Sequence, residues 1–346
     1  NDPADNSFRI LLPVKVLDNA SNDGTNKGLK FGNGTGEESY ITGLVLPAIA
    51  RLVTAGLPGY TPGTAIVSTN LAVNGLTYAQ VIQRTVDLLE WCQNGPGNQW
   101  YGGWRYVLQS PNSADNSTTQ WPVVGMLYAQ NVPGVTVAAQ TKTALQSWIT
   151  YIQNPVSGGS GYTDPNGLDG IGISESKTGG LLVEMAFAGG GGDKAKAIGY
   201  LNANWLDPPS SWNGNIGHPY AMWSIYKGLE VTIGLNDMTT ITNLPADPGD
   251  IDNPNHGWNW WEDYCQSLVA SQGLSDHWGG YSYWDSILTT AWNINILNAT
   301  KIPDPTPIPG SVLLLGSGLL GLAALIRPHS LAIIPFILAG SMGAVR

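Results

Sequence analysis

The chain has 346 residues, enough for one large domain or two smaller ones with an ample core. Only 12% of the residues are charged, against about a quarter in ordinary soluble domains, and the formal net charge is −10. No basic stripe is available to neutralise phosphates, which excludes a nucleic-acid partner. Two cysteines are too few for a disulfide scaffold or a thiolate zinc site, and no cofactor is called for.

In chain order, residues 1–30 read as an irregular, polar N-terminal segment with one strand-like run, Phe8 to Val16. Thr35 to Gly56 reads as an unpaired first helix. A repeating unit follows: an amphipathic helix, a Gly/aromatic turn, a short polar loop and a second, more apolar helix. The clearest copy starts with Ala79 to Asn94, where Ile82, Val86 and Leu89 share one face. Its turn is Gln99-Trp100-Tyr101-Gly102-Gly103-Trp104, and Asp115 to Thr118 offers caps before the helix Trp121 to Gln130.

The second copy is Val137 to Asn154, the turn Gly158 to Tyr162, and Ser176 to Ala188. The third is Lys194 to Trp205, the turn Ser211 to Gly214, and His218 to Ile233. The fourth is Trp258 to Gln272, the turn His277-Trp278-Gly279-Gly280-Tyr281, and Trp284 to Leu297. Such self-similarity predicts an all-α repeat domain over residues 31–300, each helix pair burying its apolar face on the next. Paired glycines permit a tight turn against an aromatic ring, and a glutamine can satisfy loose backbone groups at helix ends. The motif residues Gln99, Gly102, Gly103, Trp104, Trp278, Gly279 and Gly280 are therefore expected to staple repeats together.

Gln99-x-x-Gly102-x-Trp104 resembles the QW motif of squalene and oxidosqualene cyclases. The wider pattern is similar to bacterial proteins with prenyltransferase and squalene-cyclase-type repeats. The resemblance implies an α/α toroid, with inner helices around a central cavity. The chemistry of those families is not carried over with it. The acidic Asp-x-Asp-Asp motif of the cyclases is missing, and Asp263-Tyr264-Cys265 supplies only part of a prenyltransferase zinc set. Ring closure would bring Cys92 and Cys265 together, and a disulfide between them is expected.

All 14 tryptophans lie between Trp91 and Trp292, inside the repeat region. Most are expected to pack repeat on repeat. If the second helices line a cavity, Trp121, Tyr128, Tyr220, Trp223, Tyr226, Trp284 and Trp292 are the residues to face a lipid or a sugar. Asp247, Asp250 and Asp252 could offer oxygens to Ca²⁺, although their spacing is not that of an EF-hand and a solvated turn is the plainer reading.

Beyond a Pro-rich linker at 301–309, residues 310–346 form a hydrophobic segment. Pro305-Thr306-Pro307-Ile308-Pro309, the apolar run Gly310 to Ile326 and Arg327 resemble the PEP-CTERM signals read by exosortase sorting machinery. That resemblance implies an exported, cell-surface protein, with the tail as membrane anchor or assembly segment. A chain starting at Asn1 fits a removed signal peptide. The expectation drawn from these features is a structural, non-catalytic surface protein, with a homopolymer as its expected form of assembly. The alternatives are a lipid- or glycan-binding module and a divergent terpenoid- or prenyl-type enzyme.

Overall fold

The computed structural model describes residues 20–22, 28–32, 36–108, 112–248, 258–273 and 277–299. A short antiparallel ribbon comes first, β1 (Ala20–Asn22) with β2 (Leu29–Phe31), pairing Ala20 with Phe31. These strands fall in or beside the stretch expected to be irregular, and the strand-like run Phe8 to Val16 lies outside the described residues. β2 is pinned by Thr42, whose hydroxyl accepts from the Phe31 N–H at 3.1 Å.

Helices make up the rest: α1 (Glu38–Thr54), α2 (Tyr78–Cys92), α3 (Asn116–Ala129), α4 (Ala139–Ile152), α5 (Glu175–Ala188), α6 (Lys194–Ala203), α7 (Pro219–Thr232), α8 (Trp260–Ser271) and α9 (Ser286–Leu297). Their starts are written in the sequence. Thr77 with Gln80, and Asn259 with Glu262, form capping boxes on α2 and α8. Asp115, Ser174, His218 and Asp285 cap α3, α5, α7 and α9, one in each successive repeat.

Odd-numbered helices pack on one another in order, α1 on α3, α3 on α5, α5 on α7 and α7 on α9. Even-numbered helices lie outside them, α4 and α6 on α5, and α8 on α9. Burial follows this layering: every residue of α3 except Ser117 is buried, whereas α4 buries only a stripe containing Leu145, Trp148, Ile149 and Ile152. Glycine permits the close inner approaches: a Cβ on Gly43 of α1 would stand 2.3 Å from the Trp121 carbonyl carbon of α3, and one on Gly179 of α5 2.5 Å from the Ile225 nitrogen of α7. Trp121 of α3 meets Trp292 of α9 with ring centroids 6.0 Å apart, and the Trp284 indole lies beside the Tyr40 hydroxyl of α1. First and last inner helices thus meet at one aromatic centre, as an α/α toroid requires.

The repeat turns work as staples, through different atoms than expected. Trp104 donates its indole N–H to the Leu89 carbonyl at 2.8 Å, and Trp278 does the same to Leu268 at 2.9 Å. A Cβ on Gly102 (φ +90°) would lie 1.9 Å from the Ala144 carbonyl oxygen, and one on Gly158 (φ +80°) 2.5 Å from Lys196. Both turns are pressed against the next outer helix, which only glycine allows. Gly279 differs: no atom lies within 4 Å of a Cβ placed there, because no further outer helix follows among the described residues.

Gln99 also departs from expectation. It is exposed, and the bridging is done by Gln93 and Gln153, each at the end of an outer helix. Gln93 donates to the Gly102 and Thr141 carbonyls at 2.9 and 3.0 Å, and Gln153 to Gly158 and Asp193 at 2.9 and 2.8 Å.

Cys92 and Cys265 form no disulfide; both are half-buried thiols. Cys92 ends α2, which packs on α1 and α3, whereas Cys265 sits on α8 against α9. Ring closure runs through inner-helix aromatics, and the two outer helices are not drawn together by it. The linker 301–309 and the hydrophobic segment 310–346 lie outside the described residues, and among the described residues no helix is long and apolar enough to cross a membrane.

Candidate functional site

Five of the seven aromatic candidates converge where the inner helices begin. Trp121 stacks on Trp223 at 4.9 Å and on Trp292 at 6.0 Å, with interplanar angles of 24° and 13°. Tyr220 stacks on Trp284 at 5.0 Å and lies 6.1 Å from Trp121. The helical repeat explains the gathering: Tyr220, Trp223 and Lys227 fall on one face of α7 at i, i+3 and i+7. Trp121, Trp223 and Trp292 are all buried, and Trp284 is half-buried.

Tyr40 of α1 belongs to the same centre, with its ring 4.5 Å from Trp121. It heads a stripe, Tyr40, Leu44, Pro47, Ala48 and Arg51, that stays half-exposed on a helix whose other central residues are buried. The spacing i, i+4, i+7, i+8, i+11 is one face of a helix, and Tyr40 shows that this face looks towards the tryptophans. The stripe therefore offers an accessible, mostly apolar wall beside the aromatic stack. Sequence reasoning missed it, although the four-residue spacing was visible.

The remaining two candidates sit elsewhere. Tyr226 turns outward, 6.4 Å from Trp260 of the outer helix α8, because it lies one position round the helix from Lys227. Tyr128 belongs to a polar group nearer the other end of the ring. Lys227 donates to its hydroxyl at 3.3 Å and to Glu230 at 2.9 Å. Burial pushes the Tyr128 hydroxyl up, partly offset by the nearby Lys227. Lys227 is held charged: burial works against the ammonium, and Glu230 with Tyr128 outweighs it.

Polar partners inside the aromatic centre largely satisfy one another. Gln120 donates to the Tyr220 hydroxyl and accepts from Ser224 at 2.8 Å, and Ser224 also donates to the Ser176 carbonyl at 2.6 Å. Arg105 holds Asp115 at 2.7 Å and reaches the Tyr162 hydroxyl at 3.2 Å. Trp121 Nε1, in the middle of the stack, is buried without a hydrogen-bond partner, and so is Glu184. It is fully buried in α5, one turn beyond Gly180, and neither carboxyl oxygen has a hydrogen-bond partner. Burial, reinforced by Asp115, raises its pKa well above the usual carboxylate range, so it is held as the neutral acid.

At the mouth, two equivalent turns present aromatics to solvent. Ser210–Asn213 and Tyr281–Trp284 are each closed by reciprocal backbone hydrogen bonds, with Ser211 (φ 55°) and Ser282 (φ 52°) in the left-handed region. They carry Trp212 and Tyr283, whose rings stack at 5.1 Å and 6°. Non-glycine residues held at positive φ cost about 1–3 kcal/mol each and recur at binding sites.

Among the described residues no arrangement for a metal emerges. Asp247 is exposed, Asp250 and Asp252 lie outside the described residues, and among the described residues no three His, Cys, Asp or Glu side chains are grouped to hold an ion. Asp263 accepts from the Trp205 indole at 2.7 Å, and burial pushes the Cys265 thiol up to about 12, so both groups of the partial zinc set are otherwise engaged or protonated.

No protein-family model matches the chain, and no curated protein matches it. Among solved structures it is similar to the type II terpene cyclase MstE from Scytonema in its apo form. The likeness spans 93% of this chain and 77% of that one, with 14% identity and a TM-score of 0.48. The expectation of a non-catalytic structural protein is corrected here. The buried neutral acid Glu184 is a group that structural packing does not call for.

Proposed function

We propose that the toroid takes up an apolar ligand of the terpenoid class, laid against the aromatic centre. The observation that carries this reading is the Trp121–Trp223–Trp292 stack continued by the half-exposed stripe from Tyr40 to Ala48. Burying apolar surface there gains about 25 cal/mol per Å², and indole faces also stabilise cationic charge by roughly 0.5–2 kcal/mol. Apart from the unpartnered Trp121 indole N–H and Glu184, the polar groups named in the centre are paired with each other, so few donors and acceptors remain for sugar hydroxyls. The apolar segment 310–346 supports the same reading, since a chain held at a membrane by it meets isoprenoids where they dissolve.

Titrating tryptophan fluorescence of the full chain with isoprenoid alcohols of increasing length tests the proposal. Saturable quenching that tightens with chain length and weakens on Trp223→Ala is expected. No quenching at any length overturns it.

A second reading, turnover of such a ligand, rests on Glu184 as proton donor. A carboxylic acid kept neutral by burial is the group such chemistry needs. Incubation with linear isoprenoids should then give products of unchanged mass and altered retention, lost in Glu184→Gln. Complete recovery of unreacted ligand after binding is proven would leave a binding protein only.

A further inference from the structure

The half-exposed stripe on α1 does not end in an apolar residue. Its last member, Arg51, follows Tyr40 by about three turns on the same face, about 16 Å along the axis. Helices α1 and α3 run in the same direction, since Gly43 abuts Trp121 and a Cβ on Gly125 would stand 3.2 Å from Leu46. Continued by a turn, that register sets Arg51 beside the part of α3 that carries Tyr128, and Arg51 is among the charges acting on the Tyr128 hydroxyl. The wall therefore runs from the tryptophans at one end to the Tyr128–Lys227–Glu230 group at the other.

The two cations at that far end differ. Lys227 has Glu230 at 2.9 Å and the Tyr128 hydroxyl at 3.3 Å, and it lies over the Tyr128 and Tyr226 rings. Its charge is compensated within the chain. Arg51 forms no ion pair among the described residues, and its Nε is buried without a hydrogen-bond partner. A cation in the last turn of a helix is ordinarily a solvated group that the helix C-terminus favours. Solvation does not account for Arg51, because its Nε edge is shut off from water although the residue as a whole is half-exposed. Buried donors normally have an acceptor, and this one lacks it.

We propose that Arg51 holds the head group of the ligand and that this head is a carboxylate, so that a terpenoid acid lies along α1 with its tail on the tryptophans. The proposal rests on the apolar-ligand reading above and adds the head to it. The Nε edge of a guanidinium presents two parallel N–H donors, which match the two oxygens of a carboxylate. Charge decides the type of anion. With Lys227 compensated by Glu230, one positive charge is left at this end. That suffices for a carboxylate and falls short of a phosphate ester, which carries close to two negative charges. The span of about 16 Å between the levels of Tyr40 and Arg51 is also comparable to an extended farnesyl chain.

The test titrates tryptophan fluorescence of the full chain at neutral pH with farnesoic acid, its methyl ester, farnesol and farnesyl monophosphate, in wild type and Arg51→Gln. In the wild type the acid should bind about tenfold or more tighter than the ester. Arg51→Gln should bring the acid to the level of the ester and leave ester and alcohol within about twofold of wild type. Equal affinity of acid and ester in the wild type overturns the proposal while the apolar-ligand reading stands. A loss in Arg51→Gln shared by all four ligands overturns it as well, as does tighter binding of the phosphate than of the acid. No quenching by any of the four overturns both the proposal and the reading beneath it. Should Arg51→Gln not fold, Arg51→Lys, which keeps the charge and loses the fork, should give up most of the preference for the acid; an undiminished preference there overturns the proposal.

Discussion

Acid should destabilise this fold through one histidine by a calculable amount. His218 is completely buried, and its Nδ1 accepts the Ala221 N–H at 3.4 Å as the cap of α7. Burial, assisted by Lys177 and only partly opposed by hydrogen bonding, lowers its pKa to about 4. In the unfolded chain the same group titrates near about 6.5. Between those values the unfolded state holds up to one more proton than the folded state, so stability is lost by about 1.4 kcal/mol for each unit that the pH drops. Over the whole window the loss is roughly 3 kcal/mol, a large share of a typical net stability of about 5–15 kcal/mol.

His218→Asn isolates this contribution, because asparagine caps a helix well and does not titrate. Urea unfolding of both proteins at pH 7, 6, 5 and 4.5 cancels the carboxylates common to them. The variant, whatever its stability at pH 7, should gain on the wild type by about 2–3 kcal/mol by pH 4.5. A difference that stays constant from pH 7 to 4.5 refutes the argument, and with it the placement of a neutral imidazole among Tyr281, Tyr220 and Trp284.

Gly102→Ala should cost roughly 2 kcal/mol or more by thermal or urea unfolding, since its Cβ would overlap the Ala144 carbonyl at an unfavourable φ, whereas Gly279→Ala should be close to neutral. Trp121→Ala, which empties the middle of the stack, should destabilise by about 3–5 kcal/mol in the same assay. Alkylation with iodoacetamide under denaturing, non-reducing conditions should modify both Cys92 and Cys265; a cross-linked peptide pair would restore the disulfide. Trp212→Ala with Tyr283→Ala should leave isoprenoid quenching intact, since these two rings stack on each other and not on Trp121.

Much of the scaffold was legible because it is local. The 3.6-residue periodicity and the caps located α5 and α9 to within two residues of their starts, and both share the expected last residue, Ala188 and Leu297. Trp104 and Trp278 were likewise marked by their glycine neighbours. Long-range geometry was less accessible. Gln99 carried the family resemblance, yet Gln93 and Gln153 sit where an outer helix ends beside a loose carbonyl, and only packing reveals that. Ring closure was correctly anticipated, but the Cys92–Cys265 pairing assumed that it would join outer helices. The Tyr40–Arg51 stripe was readable as a helical face, though not as a wall, until Trp121 was seen against it.

The central claim is that an isoprenoid lies against the inner tryptophans. A diazirine-bearing isoprenoid alcohol, photolysed with the full chain and mapped by peptide mass spectrometry, tests it most directly. Cross-links should concentrate on the peptides containing Tyr40 to Ala48, Trp121, Trp223 and Trp292, and an excess of unlabelled alcohol should suppress them. Cross-links confined to Trp212 and Tyr283 at the mouth, or scattered and insensitive to competition, would contradict the account.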